Sequence, residues 1–297
     1  MGCPMPSLLS KIMYRVISLS NLNQRLKREL EQNTLDKHPK AVPSRHMIKE
    51  YHIKTQTIDN HIVYTLSSSV SKTKIGIFYI HGGAYVHGLS FMHFRLFKSI
   101  IKETNATIIV PDYPLVPHAS TEDIYEFLKQ SYKNTMFNYE HVIIMGDSAG
   151  GGLSLGLAQQ LVIEGILHHH LMLLSPWLDV SMENDMIDTL QTKDPILNKQ
   201  ALIEVANMYA RGRDLKDSML SPLYGDLKGI SSFNLWIGTN DILYADARAL
   251  SRKCKDNDIK IDMHVYQDML HTWMFFGLKE SNAMINEMTK LINDSFN

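Results

Sequence analysis

Val142-Ile143-Ile144-Met145-Gly146-Asp147-Ser148-Ala149-Gly150-Gly151-Gly152 is the stretch that decides the fold. A short apolar run rich in β-branched residues leads into it, and a helical pattern over Ala149–Glu164 leads out, so Ser148 stands at a strand-to-helix turn. Within it, Gly146-Asp147-Ser148-Ala149-Gly150 fits G-x-S-x-G, a turn that forces the serine into a strained backbone conformation. Side chains two positions either side would collide there, which is why glycines flank it. Gly151 and Gly152 let the following helix approach the sheet closely. Three fixed positions in five also recur by chance, so the assignment rests on what surrounds them.

Outward from this turn, strands and helices alternate. Further apolar runs lie at Ile75–Ile80, Thr107–Val110, Leu171–Leu174, Phe233–Ile237 and Ile261–Tyr266. Helical patterns separate most of them, at Phe91–Lys102, Thr121–Tyr132 and Ala245–Lys255, and a last one follows at Ser281–Ile292. That order predicts an α/β fold with a mostly parallel sheet, right-handed crossovers and helices on both faces. Period-two alternation over His46–Thr57 and His61–Ser67, around Asp59-Asn60, predicts an antiparallel hairpin entering first.

Two intervals break the rhythm. Leu9, Ile12, Val16, Leu19, Leu22, Leu26 and Leu30 recur every three or four residues, predicting an amphipathic helix over the first thirty residues that packs on the body. Its Lys and Arg residues leave open the sharper alternative of contact with a membrane surface. Asp179 to Ser221 carries a helix around Leu202, Val205 and Tyr209 and no strand pattern. The expectation is one domain over 1–297, with a cap built from residues 1–45 and an insertion at about 179–221.

Composition narrows the function classes. The 297 residues are 44% hydrophobic and 21% charged with a formal net charge of −1, which provides for a large core and lacks the basic footprint of a nucleic-acid binder. Cys3 and Cys254 make no disulfide framework and no metal spacing, which fits a reducing cytoplasm. Lys11, Arg15 and Arg25 interrupt the apolar residues of the N-terminus, so no signal peptide is expected. Met1-Gly2 lacks the Ser or Thr that myristoylation wants at position 6, which is Pro6, and no apolar stretch is long enough to span a bilayer. Stable membrane insertion is therefore not expected, and a homodimer is compatible with the sequence without a residue that argues for one.

A hydroxyl nucleophile needs exposure, a base to take its proton and donors for the oxyanion that forms. Ser148 has the exposed turn. His81-Gly82-Gly83-Ala84-Tyr85 follows directly on the run Ile75–Ile80, where folds of this kind place an oxyanion loop. The amides of Gly82, Gly83 and Ala149 are the expected donors.

These motifs, with Asp112-Tyr113-Pro114-Leu115-Val116-Pro117, Ser175-Pro176-Trp177, Gly238-Thr239-Asn240-Asp241-Ile242-Leu243 and Met269-Leu270-His271, resemble the hormone-sensitive-lipase-like α/β-hydrolases, the bacterial esterase and acetyl-hydrolase branch. The resemblance runs from about Ile75 to His271. Three positions depart from the family's pattern: Ala84 replaces a third glycine, Pro114 and His118 alter the Asp-Tyr run, and Thr272-Trp273 follows the histidine. Ala84 retains a backbone amide; the other two bear on pocket shape.

The resemblance places the triad acid at Asp241, with Asp246 as the nearest rival at the start of a helix. Among fourteen histidines, His271 stands in a loop after the last strand, at the sheet edge where ligands bind in open α/β folds, whereas His264 lies within that strand. The implied chemistry is hydrolysis of small or short-acyl esters: His271 takes the Ser148 proton, Asp241 orients the imidazole, and an acyl-enzyme is then cleaved by water. No cofactor is needed. An aryl or formyl amidase with the same triad is the alternative within the class, and a non-catalytic small-molecule receptor on the same scaffold the one outside it. His168-His169-His170 is set aside as a metal site because adjacent residues point to different sides. His87 and His118 are candidates for the pocket entrance, and Met182, Met186 and Met208 for core filling or an acyl pocket.

Overall fold

Ile75–Ile80, Thr107–Pro111 and Phe233–Gly238 are buried at every residue, as strands covered by helices on both faces must be. A computed structural model of the chain describes residues 6–35, 41–68, 73–166, 168, 170–230 and 233–296. Helices α1 (Leu8–Leu19), α2 (Arg25–Glu31) and α3 (Arg45–Glu50) precede the hairpin β1 (Tyr51–Ile58) and β2 (His61–Ser68). There follow β3 (Ile75–Ile80), α4 (Phe91–Thr104), β4 (Thr107–Pro111), α5 (Thr121–Met136), β5 (His141–Asp147), α6 (Ser148–Ile163) and β6 (His170–Leu174). After α7 (Met186–Gln191) and α8 (Lys199–Ala210), the sheet resumes with β7 (Phe233–Gly238), α9 (Tyr244–Asp256), β8 (Ile261–Tyr266) and α10 (Lys279–Phe296).

The strands form one sheet in the order β1-β2-β4-β3-β5-β6-β7-β8. β1, β2 and β4 pair antiparallel, and every pairing from β4 through β8 is parallel. The chain leaves β3 toward β4 on one side and returns to β5 on the other, so the loops after β3 and β5 diverge at a topological switch point. A crevice opens there, at the carboxyl ends of the strands. It is where the His81–Tyr85 loop and Ser148 meet.

Successive side chains of a strand enter opposite cores. Phe78 and Ile144 pack with Leu128 of α5, Leu155 of α6 and Leu250 of α9. Ile77 and Ile143 pack with Phe97 of α4 and Met284 and Met288 of α10. The α/β expectation is met, with four corrections in detail. Residues 46–50, expected as the start of the hairpin, lie in the helix Arg45–Glu50, which Ser44 caps, its hydroxyl accepting from Met47 N at 3.2 Å. The single N-terminal helix is broken where Asn21 takes φ 51, after which Leu22–Gln24 forms a 3₁₀ turn before α2. Nor does α1 bury its apolar stripe: Leu8 and Leu19 are 75% and 83% exposed. The interval 179–221 holds two helices, α7 and α8, rather than one.

Candidate active site

β5 delivers the chain to the turn and α6 takes it away. Ser148 adopts φ 52, the left-handed region, which turns its side chain out of the sheet edge. The flanking glycines are required sterically: a Cβ on Gly150 would lie 2.1 Å from the Ile80 carbonyl oxygen, and one on Gly146 would lie 2.4 Å from that of Gly150. Ser148 Oγ is 2.9 Å from His271 Nε2, and His271 Nδ1 is 2.8 Å from Asp241 Oδ2. Ser148 opens α6 directly after β5, His271 and Asp241 come from loops after β8 and β7, and all three are buried. With Nδ1–H donating to the carboxylate, Nε2 accepts from the serine hydroxyl. The other carboxylate oxygen, Asp241 Oδ1, accepts the amide of Leu243 at 2.9 Å, which fixes the acid in place.

Burial by itself lowers the basicity of the His271 imidazole, but the charge and hydrogen bond of Asp241, with the charges of Asp194 and Asp147, raise its pKa above the ordinary histidine value. The structure therefore brings together all three residues expected from the sequence as nucleophile, base and acid. The rival acid Asp246 is elsewhere: its Oδ1 accepts from Asn184 Nδ2 at 2.9 Å.

One of the three expected donors is engaged within the protein. Gly82 N donates to Asp147 Oδ1 at 3.0 Å, so this amide holds the loop. The same oxygen accepts the Tyr79 hydroxyl at 2.8 Å and lies 3.2 Å from His93 Nε2. Burial would raise the Asp147 pKa, yet His93, Tyr79 and the Gly82 amide together bring it below the usual aspartate value, so a fixed carboxylate anchors the loop. A Cβ on Gly82 would meet Asp147 Oδ2 at 2.4 Å. The next amides in the loop, those of Gly83 and Ala84, and that of Ala149, meet no acceptor among the described residues. Ala84 has φ 51, so it holds by conformation what glycine would hold freely.

A cavity of about 480 Å³ opens on Ser148 and His271. Leu22 and Leu26 from the N-terminal segment, Ile196 and Leu197 from the 179–221 interval, and Phe275 and Phe276 after the histidine give it an apolar lining. His87 lines it and pairs with Glu29 at 2.9 Å; His118 instead lines a neighbouring cavity of about 590 Å³. Met182, Met186 and Met208 do not line this cavity, and Met182 Sδ accepts from the Trp177 indole. His264 stacks on Trp236 and bonds to Asn234 and Glu287, a sheet residue as expected. Of the three consecutive histidines, His170 bonds to Asn234 and His169 lies outside the described residues; no metal-binding cluster occurs among the described residues.

Sequence reasoning missed Asp194. It is buried beside the triad, and its only local signal is an acid followed by two amides that fold back onto it: Oδ1 accepts from Ile196 N at 2.8 Å and Leu197 N at 2.9 Å. Burial first, and then the charge of Asp241, raise its pKa to about 7.

A family model described as the alpha/beta hydrolase fold matches residues 77–275, two thirds of the chain and a span that includes Ser148, Asp241 and His271. The chain belongs to that family. It is 28% identical over 218 residues to an esterase of Acinetobacter venetianus, covering 71% of each chain. An acetyl-hydrolase of Streptomyces hygroscopicus is 26% identical, over 67% of this chain and 68% of its own. Among solved structures, an esterase from the bacterial hormone-sensitive lipase family superposes with a TM-score of 0.82 at 23% identity, covering 99% of this chain and 100% of its own. The hormone-sensitive-lipase homologue EstE7 from a metagenome library gives 0.83 at 21% identity, with 96% and 98% covered. The resemblance read from the motifs is thus met, and this α/β-hydrolase is a carboxylesterase-like hydrolase. No helix among its described residues is long and apolar enough to cross a membrane.

Proposed function

We propose that this α/β-hydrolase cleaves small or short-acyl carboxylic esters through an acyl-enzyme on Ser148. The observation that carries the reading is the relay of 2.9 Å from Ser148 Oγ to His271 Nε2 and 2.8 Å from His271 Nδ1 to Asp241. His271 accepts the hydroxyl proton as Oγ bonds to the ester carbonyl carbon. The oxygen of that carbonyl becomes an anion facing the amides of Gly83, Ala84 and Ala149, with Ala84 replacing the Gly82 of the sequence expectation. Imidazolium then protonates the departing alkoxide, and the C–O bond to the alcohol breaks. Water enters by the same route, its proton going to His271 and its oxygen to the acyl carbon, and Ser148 is released with the carboxylic acid.

The described residues of the 1–45 and 179–221 segments act as a cap, since both segments supply apolar residues to the cavity, and about 480 Å³ suits an acyl group of modest length. A buried free Cys254 fits work in a reducing cytoplasm. The names of the two curated relatives, an esterase and an acetyl-hydrolase, support the substrate class.

Turnover of p-nitrophenyl esters of increasing acyl length tests the reading. Wild type is expected to hydrolyse short chains best, and Ser148→Ala to lose roughly 10⁴-fold or more in kcat. A serine-directed phosphonate is expected to label Ser148 once, read by mass spectrometry. Equal rates for wild type and Ser148→Ala would overturn the assignment, and turnover of aryl amides without turnover of esters would move it to an amidase.

A further inference from the structure

Helix α1 is docked by its polar side. The Ser7 and Ser10 hydroxyls donate to Glu280 Oε2, at 3.2 and 2.6 Å, at the start of α10, and the Tyr14 hydroxyl donates to the Lys193 carbonyl at 3.1 Å. Ser10 is the buried residue of the helix. At about 100° per residue, Leu8, Leu19, Ile12, Val16 and Leu9 share one arc of about 100° on the side away from Ser10. They are 75%, 83%, 49%, 61% and 55% exposed. An amphipathic helix ordinarily turns its apolar stripe to the core; here hydrogen bonds hold the opposite side down, and the stripe is presented outward.

Charge says what it is presented to. Exposed Lys11 and Arg15 border the apolar arc. Residues 1–28 carry five cations, Lys11, Arg15, Arg25, Lys27 and Arg28, and no acid before Glu29. An apolar arc edged by long cationic side chains matches the boundary of an anionic bilayer, where the stems and the arc enter the acyl region and the charged heads meet lipid phosphates. The stripe is also connected to the site: the chain runs from Leu19 through Asn21 into Leu22, Arg25 and Leu26, which line the catalytic cavity. Phe91 and Met92 of the same cavity wall are 67% and 42% exposed.

We propose that α1 is an interfacial anchor that lays its Leu8–Leu19 stripe on an anionic lipid bilayer, with Lys11 and Arg15 on the lipid phosphates and the catalytic cavity held close to that surface. The anchor rests on the surface without spanning the bilayer. It stands independently of which ester, if any, the cavity cleaves.

Co-sedimentation with vesicles of phosphatidylglycerol and phosphatidylcholine, against vesicles of phosphatidylcholine alone, tests it on the full chain. Wild type is expected to bind the anionic vesicles at least about tenfold more strongly than the neutral ones, and to be released by high salt. The double variant Ile12→Glu/Val16→Glu, and separately Lys11→Glu/Arg15→Glu, are expected to lose that binding about tenfold or more. Both should keep wild-type turnover of a water-soluble p-nitrophenyl ester, because none of the four side chains lines the catalytic cavity. Failure of wild type to sediment with anionic vesicles, or equal sedimentation of both variants, would overturn the anchor. So would a wild-type dimer in analytical ultracentrifugation that Ile12→Glu/Val16→Glu converts to monomer, since the stripe would then belong to a second copy of the chain.

Discussion

Asp194 and Asp241 stand behind the same imidazole and are joined through one backbone amide: Ile242 N, immediately after the acid, donates to Asp194 Oδ2 at 2.9 Å, while Asp241 Oδ2 receives His271 Nδ1. Asp194 therefore ties the 194–197 turn, a wall of the cavity, to the loop that carries the acid. Its charge also contributes to the raised pKa of His271. On the proposed mechanism His271 works as a base only when neutral, so the acid limb of the kcat/KM profile should report its pKa. Asp194, with its own pKa raised to about 7, is only part ionised there, so Asp194→Asn removes a fraction of a negative charge, lowers the His271 pKa by a correspondingly small step and moves the acid limb to lower pH. The pH dependence of kcat/KM checks this, and an unmoved limb would reduce Asp194 to a structural tie.

Asp241→Asn acts on the relay directly. The amide side chain no longer stabilises the imidazolium and offers His271 a donor as readily as an acceptor, so the productive tautomer is lost. A fall in kcat on the order of 10⁴-fold is expected, with far less change in KM. Steady-state kinetics on a short-chain ester at fixed pH provides the check.

Gly82→Ala tests the loop anchor. The added methyl would sit 2.4 Å from Asp147 Oδ2 and 2.8 Å from the Asp147 carbonyl oxygen, so the 82–84 loop must shift away from Ser148. Displacing the amides of Gly83 and Ala84 is expected to cost on the order of 10² to 10³ in kcat, with circular dichroism unchanged. Normal kcat would mean that these amides are not the oxyanion donors.

How much of this was legible in the sequence follows from which forces are local. Ile75–Ile80 was readable to the residue because an apolar run bounded by polar residues has only one buried extent; the bounds of Ile261–Tyr266 were also readable, although of that strand only Tyr266 is buried. Ser148 and His271 could be placed because each sits at a strand's carboxyl end, which strand order alone defines; Asp241 needed the family resemblance. The capture of the Gly82 amide was not readable, since it depends on a carboxylate 65 positions away that the fold brings within 3.0 Å. Asp194 was hidden for the same reason, lying in an inserted turn whose register against β7 no periodicity reveals. Periodicity found the apolar stripe of α1 but carries no information about which side faces the body. Ser10 and Tyr14, through Glu280 and Lys193, decide that.

Asp246 offers a stability prediction separable from catalysis. It is buried, its Oδ2 meets no hydrogen-bond partner among the described residues, and burial, partly relieved by the Asn184 bond and reinforced by the charge of Asp179, raises its pKa from 3.8 to about 7. A carboxyl whose folded pKa lies above its unfolded value holds a proton in the native state that the unfolded chain has already lost. Stability is therefore lost progressively as pH rises from about 4 to about 7, and the full penalty stands above that. Asp246→Asn keeps an oxygen for Asn184 and removes the titration, so it should stabilise the protein at pH 8 by up to about 4 kcal/mol and have little effect at pH 4. Activity should be retained, because the side chain faces Asn184 and not His271. Urea denaturation of wild type and Asp246→Asn across pH 4 to 8 measures the difference; curves that stay parallel would show that Asp246 is ionised in the native state throughout.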